Sequence, residues 1–556
     1  MKNVISAQSS QKLRAARLGF TIGLATLFLT VLLYGLQETS PAYADPGTLY
    51  VDGATGQDID SCGTMGTPCE TISYTLNGPA SEGDTILIAE GTYTENLTIA
   101  GITVTLRGGY TVDGNQWLAN TGETIVHGGD AGRVFFIHNN NSVLEDLIIT
   151  GGDAPSAEPW GGGVWVTGGD VTIRYSTILD NGAADWSMGI EVNDDYGLAH
   201  LTLESSFVGR NYGGGLHLWS SGAGTSATVE DVTFFCNRSS SGGGIRLEQN
   251  SSAVIRNSVV FSNTADNGGG ILIDNGSIAT INGSRIVSNT ATGVGGGIAV
   301  AEGSSVVISN SHILSNTANA GGGLFVSGGT ATVHSNDFSS NTSQADEGPA
   351  IWAGSSILAI DSNVFAHNVS NAAWVGGAVR LDKITTTLTN NVVAQNQASG
   401  FQVTAGNVAF VNNTIVSNTV DGIGLWDNST IPLLRNNIIA DNGAFGVAGD
   451  GIVSLSEYND LWNNPNGSYD SALTITLGTG NTALDPQFVD AANGDYHLQA
   501  DSPCIDTGTS TGAPMEDFEQ DPRPLDGNLD GTAAVDMGAD EFSPPKVYLP
   551  LVLMNT

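Results

Sequence analysis

Basic residues are scarce in this sequence: 17 lysines and arginines stand against 56 aspartates and glutamates, for a formal net charge of −39 over 556 residues. Such a chain repels phosphate backbones and anionic membrane surfaces, which excludes nucleic-acid binding and weighs against a strongly anionic polymer as ligand. Cysteine is scarcer still, at four residues, and no Cys/His cluster has zinc spacing. There is no P-loop, no dinucleotide fingerprint and no Ser-His-Asp motif. Between residues 161 and 464 no stretch sustains helical spacing of apolar residues, which excludes a helical repeat.

What is present is a block that recurs about every 26 residues. Each copy opens on glycine and an apolar residue, as at Gly215-Leu216, Gly244-Ile245, Gly270-Ile271 and Gly297-Ile298. Each closes on an apolar pair, a small polar residue and asparagine, as at Val260-Phe261-Ser262-Asn263 and Ile313-Leu314-Ser315-Asn316. The closing residues Asn211, Asn237, Asn263, Asn289 and Asn316 lie 26, 26, 26 and 27 apart. Within a copy, runs such as Val171-Thr172-Ile173 alternate apolar with polar residues, the period of a strand. Three short strands per copy, stacked on the next copy, make a solenoid. Asparagines in register then hydrogen-bond up and down the stack. A second column, Ser176, Ser206, Ser258, Ser284, Ser311, Asn336 and onward, is interrupted only by Val232. The 74 glycines suit corners that need positive φ.

The ends differ from the block. Lys2, Lys12, Arg14 and Arg17 precede an apolar run from Leu18 to Leu36 and an Ala42-Tyr43-Ala44 site. Residues 1–44 therefore read as a secretory signal, with retention as a membrane anchor the alternative. Without them the charge is −42, since they hold four basic residues and one acidic. Residues 45–130 read as an N-terminal cap, with a short helix at Thr71–Leu76, and 131–478 as the solenoid. Cys62 and Cys69 are close enough for a local disulfide in an exported protein, while Cys236 and Cys504 read as buried thiols. Residues 479–545 lose the repeat, and 546–556 form an apolar tail too short to span a bilayer.

The Gly-Gly-Gly-apolar and Ser-Asn-Thr pattern resembles the right-handed parallel β-helix proteins of the pectin-lyase-like class. Cys62, Pro68-Cys69-Glu70-Thr71-Ile72, Gly83-Asp84-Thr85 and Gly91-Thr92-Tyr93 resemble their cap. Asp485-Pro486-Gln487-Phe488, Ser502-Pro503-Cys504-Ile505-Asp506, Arg523-Pro524 and Asp536-Met537-Gly538-Ala539-Asp540-Glu541 resemble the region called choice-of-anchor Q. The resemblance implies an all-β right-handed parallel β-helix with an N-terminal cap and an irregular C-terminal segment, secreted or at the cell surface. It does not imply an activity, since the fold hosts lyases, hydrolases and adhesins. Two chemistries of the class are disfavoured. Asp194-Asp195 lacks the Gly-His-Gly partner of polygalacturonases, and the scattered arginines lack the basic cluster of pectate lyases.

Alignment of the copies places two residues of each opening strand outward. On most copies these are small or polar. On the first five they include Trp165, Glu191, His217, Trp219, Arg246, Glu248 and Asp274. Indole rings cover sugar faces and carboxylates and arginine satisfy hydroxyls, so this face is the candidate site for an extracellular polysaccharide or cell-surface glycan, bound by a monomer. Against that reading, tryptophans on such a face also pack under loops, His217 reads as a neutral surface residue, and Arg246 and Glu248 read as ion-paired neighbours on a solvated face. Glu248 and Asp274, on adjacent strands, would make an acid and base if the protein were a polysaccharide lyase or glycosidase. A structural stalk or adhesin is the third reading. Asp526, Asn528 and Asp530 match the start of a calcium loop, with Asp536 one place early for its last ligand; Ca²⁺ there competes with a plain Asp/Asn turn. Membrane contact is expected only through the signal segment or surface anchoring.

Overall fold

The structure, a computed structural model, describes residues 47–544 except 115, 155–159, 183–186, 223, 346–347 and 372–375. The signal segment 1–44 and the tail 546–556 lie outside the described residues. No helix among the described residues is long and apolar enough to cross a membrane.

The chain divides into two compact units. The first holds the described residues up to 93 together with 104–125. In it, strand Thr48–Val51 pairs in parallel with Thr85–Ala89, which pairs with Thr105–Asp113. Trp117, fully buried, packs with Tyr50, Leu87, Ala89 and Tyr110. The helix expected near Thr71 runs over Ile72–Asn77, with the Thr71 hydroxyl accepting from Tyr74 N at 3.1 Å. Cys62 and Cys69 form a disulfide.

The second unit, 94–103 and 126 onward, is a parallel β-solenoid of about 13 turns. Its first sheet has 15 strands, from Leu97–Ala100 and Phe135–His138 through Leu216–Trp219 and Ile245–Glu248 to Gly467–Tyr469. The second is built of strands such as Ser252–Arg256 and Ile278–Asn282, the third of strands such as Val259–Phe261 and Arg285–Val287. Inward positions stack like on like: Leu247, Ile273, Val300 and Val326 are fully buried in one file. Each such side chain contributes about 1.5–3 kcal/mol of burial. A fourth, five-stranded sheet of two-residue strands begins at Thr264–Ala265; it is an addition to the three strands expected per copy.

The asparagine column forms the expected ladder. Asn263 Nδ2 donates to Asn289 Oδ1 at 3.0 Å, and Asn289 Nδ2 to Asn316 Oδ1 at 3.0 Å. Each Oδ1 also accepts the backbone N–H of the preceding coil's asparagine, as Asn263 N at 3.0 Å and Asn289 N at 2.9 Å. The serine column does the same with hydroxyls, Ser258 N donating to Ser284 Oγ at 3.2 Å.

The corners use two kinds of left-handed residue. Glycine takes one, as expected, with φ of 62° at Gly242, 61° at Gly268, 64° at Gly295 and 59° at Gly321, and the residue before each ladder asparagine takes another, with φ of 52° at Cys236, 54° at Ser262, 56° at Ser315 and 57° at His367. The following amide's bonds in two directions hold that strained corner. Glycine is also required beside the ladder. A Cβ on Gly297 would lie 2.6 Å from Gly323 O and 3.1 Å from Asn316 Nδ2, so the last glycine of each run makes room for the ladder.

Beyond the coils, the C-terminal segment folds back on the third sheet. Tyr496, Leu498, Cys504, Ile505, Met537 and Ala539 cover Val392, Val416, Ile438 and Ala440. Asparagines at the coil corners anchor it: Asn390 Oδ1 accepts from Arg523 Nη1 at 2.8 Å, and Asn436 Nδ2 donates to Thr509 O at 2.8 Å. Arg523 also donates to Glu541 at 3.0 Å, with both side chains inaccessible. Cys504 is buried as expected, but Cys236 is exposed at its corner.

Candidate functional site

Register on the first sheet brings the predicted residues together. Phe136, Trp165, Glu191, His217, Arg246 and Leu272 follow one another on successive strands in one outward column. In the second column His138, Thr167, Asn193, Trp219 and Glu248 follow in the same way.

This face is not the open, solvated strip that the sequence suggests. Trp165 is 5% exposed, Glu191 and His217 are 1% and Arg246 is 8%. Strands about 4.8 Å apart let large neighbouring side chains shield one another. Phe136 lies 4.6 Å from the Trp165 ring, and the Arg133 guanidinium covers that ring at 4.5 Å. Trp219, Glu248 and Asp274 remain half-buried.

His217 joins the cluster. Its Nδ1 lies 2.8 Å from Glu191 Oε2 and its Nε2 3.2 Å from Glu248 Oε2, while Arg246 Nη2 donates to Glu248 Oε1 at 2.7 Å. The expectation that His217 lies at the surface is therefore overturned. Burial opposes the charge on His217, but two flanking carboxylates outweigh it and raise its pKa. Burial raises Glu191 above the ordinary carboxylate range, and His217 and Arg246 offset only part of this. Burial also acts on Glu248, but the bond to His217 and the Arg246 charge prevail and hold it below the ordinary value. The carboxylates expected as an acid and base pair bond elsewhere: Glu248 to His217 and Arg246, and Asp274 Oδ1 to its neighbour Asn275 N at 2.7 Å.

Four buried polar atoms beside this cluster have no hydrogen-bond partner among the described residues: Trp165 Nε1, Thr167 Oγ1, Glu191 Oε1 and Asn193 Oδ1. They sit on two adjacent strands, Trp165 opposite Glu191 and Thr167 opposite Asn193. Asp194, set aside as half of a motif, holds the turn after Trp219. Its carboxylate accepts Ser220 Oγ at 2.7 Å, Ser221 Oγ at 2.8 Å and Gly224 N at 2.6 Å, and despite burial these bonds hold it below the ordinary range. Sequence reading places Asn193 in the outward column without singling it out, and it misses Phe136 and Arg133; the register of Phe136 with Trp165 emerges only from strand pairing.

The calcium candidates are only partly assembled. Asp526 and Asn528 accept N–H groups of their own loop, from Asp530 N at 3.1 and 2.9 Å, as an Asp/Asn turn does. Asp536 is not gathered with Asp526 and Asp530. It is buried and accepts Asp506 N at 2.6 Å and Phe542 N at 2.7 Å, and burial with the nearby Glu541 pushes it up to about 8. Among the described residues, the one group of three potential metal ligands within 4.8 Å is Asp58 with Cys62 and Cys69, whose sulfurs are already bonded to each other.

No curated protein matches the sequence. Solved structures similar to it include pectate lyase Pel9A, at 14% identity over 89% of this chain and 96% of that one, with a TM-score of 0.30. The Vag8–C1 inhibitor complex is similar at 14% identity over 73% and 85%, TM-score 0.38. The periplasmic alginate epimerase AlgG is similar at 12% over 72% and 77%, TM-score 0.25. Likeness at this level says nothing of activity. The model of the right-handed β-helix region matches residues 80–234, 222–379 and 350–483, overlapping spans that run through most of the sequence. The chain belongs to the right-handed β-helix family.

Proposed function

We propose that the protein is secreted or held at the cell surface and binds an extracellular polysaccharide on the outward face of the first sheet, around Trp219. The observation that carries this reading is the set of buried polar atoms without partners at Trp165, Thr167, Glu191 and Asn193, next to a half-buried indole. Buried polar groups are normally satisfied, and a hydroxyl-rich ligand supplies both donors and acceptors. Arg246 and His217 are already matched by Glu191 and Glu248, and Arg133 lies over the Trp165 ring, so a neutral or weakly charged glycan fits better than a polyuronate. A glycan array on the chain lacking residues 1–44 tests this, with product release measured in parallel.

Cleavage of the bound glycan is a second reading, favoured by Glu191. A buried carboxyl above its ordinary range, with Oε1 unpaired, is suited to donate a proton. Product release that disappears in Glu191→Gln while binding persists would establish it. The C-terminal region, by its resemblance to choice-of-anchor Q, is proposed to hold the protein at the surface, which cell fractionation tests. Ca²⁺ on Asp526, Asn528 and Asp530 is likewise a proposal, tested below.

A further inference from the structure

Farther along the same sheet, Phe325 and Trp352 on adjacent strands stack face to face, with ring centroids 4.4 Å apart and planes 8° apart. The indole folds over Gly354, where a Cβ would meet the ring at 2.5 Å. Beside it is a pocket of about 290 Å³, with Ser327, Gly354 and Thr404 in its lining and Asp382, Lys383 and Asp427 among its charged groups. Arg380 Nε donates to Asp382 at 3.3 Å. Trp352 Nε1 is inaccessible and has no partner among the described residues.

We propose that this pocket is a second sugar subsite, taking one pyranose unit of the same glycan; the inference rests on the function proposed above. The indole wall offers an apolar plane to a ring's C–H face. Asp382 and Asp427 accept hydroxyls, and Lys383 donates to them. Two cations, Arg380 and Lys383, balance the two carboxylates, so the subsite, like the first, favours a neutral or weakly charged unit. The small residues Ser327, Gly354, Ser355, Thr404 and Ala405 leave room that larger side chains would fill. Between the sites Leu272, Ala299 and Ala301 provide no such groups. Trp352 lies five coils beyond His217, about 24 Å along the solenoid. A polymer spans that distance and a short oligosaccharide does not, so the two sites act together only on long chains.

The test uses a polymer identified on the glycan array and compares the parent with Trp352→Ala, Lys383→Ala and Trp219→Ala. Trp352→Ala should weaken polymer binding about tenfold, and Lys383→Ala about threefold, each with the parent's melting curve. Lys383 is exposed and its replacement leaves the fold intact, so it decides if Trp352→Ala does not fold. Parent-like binding by both variants, with binding lost in Trp219→Ala, overturns the second subsite and leaves the first standing. Failure of the parent to bind any glycan overturns both.

Discussion

His217 Nδ1 and Glu191 Oε2 lie 2.8 Å apart on adjacent coils, with both side chains 1% exposed. Removing one partner leaves the other buried and uncompensated. His217→Ala should cost about 3–5 kcal/mol of stability, read as a lower denaturant midpoint. A loss under about 1 kcal/mol would mean that water reaches Glu191 freely.

The same pair sets a pH dependence. Both folded pKa values are raised, so the folded protein holds more protons than the unfolded chain above the ordinary values of about 4.5 and 6.5. Their contribution is complete at low pH and is lost as pH rises through the raised values. The melting temperature should fall with rising pH less steeply in the double variant Glu191→Gln/His217→Gln than in the parent. Parallel curves would contradict this.

The C-terminal segment should loosen in alkali. Burial raises Asp536 to about 8 and Asp540 to about 6, and the Glu519 hydrogen bond raises His497 to about 10. All three bind protons more tightly when docked, so docking is most favoured below about pH 4 and weakens as pH rises, through about 6 for Asp540, 8 for Asp536 and 10 for His497. Amide exchange in residues 485–544 should speed up between pH 6 and pH 10, after correction for intrinsic rates, more than in the coils at 240–320. Equal corrected change in both would count against it.

The ladder should be costly to break. Asn316 Nδ2 donates to Ile286 O at 2.8 Å and to Asn341 Oδ1 at 3.1 Å, and its Oδ1 accepts two bonds from Asn289. Asn316→Ala strands these buried partners and should destabilise by about 2–4 kcal/mol. An unchanged unfolding transition would show that the ladder is dispensable.

If Asp526, Asn528 and Asp530 bind Ca²⁺, EDTA lowers the melting temperature and Asp530→Ala removes the difference. Identical curves with and without chelator leave the Asp/Asn turn.

The coil was legible because its main polar constraint, the asparagine ladder, recurs at one spacing and needs one residue type. The left-handed corners were only partly legible: a small polar residue precedes many ladder asparagines, as at Asp180 and Ser262, but Cys236 and His367 adopt the same backbone conformation with other side chains. The outward columns were legible from alternation alone, and Trp165, Glu191, His217 and Arg246 do align. Their burial was not, because it comes from neighbours one coil away, such as Arg133 and Phe136 against Trp165. The Arg246–Glu248 ion pair was legible from their spacing of two on one strand, and it forms. The second partner of Glu248, His217, was not, because it reaches across from the adjacent coil.

The most direct measurement is the affinity of Trp219→Ala for a neutral or weakly charged glycan, compared with the parent at one ionic strength. Loss of about 1–3 kcal/mol of binding, with the melting curve unchanged, is the result expected if this face holds sugar. Binding equal to the parent's, or no glycan bound by either protein, would contradict it and leave a structural stalk as the better description.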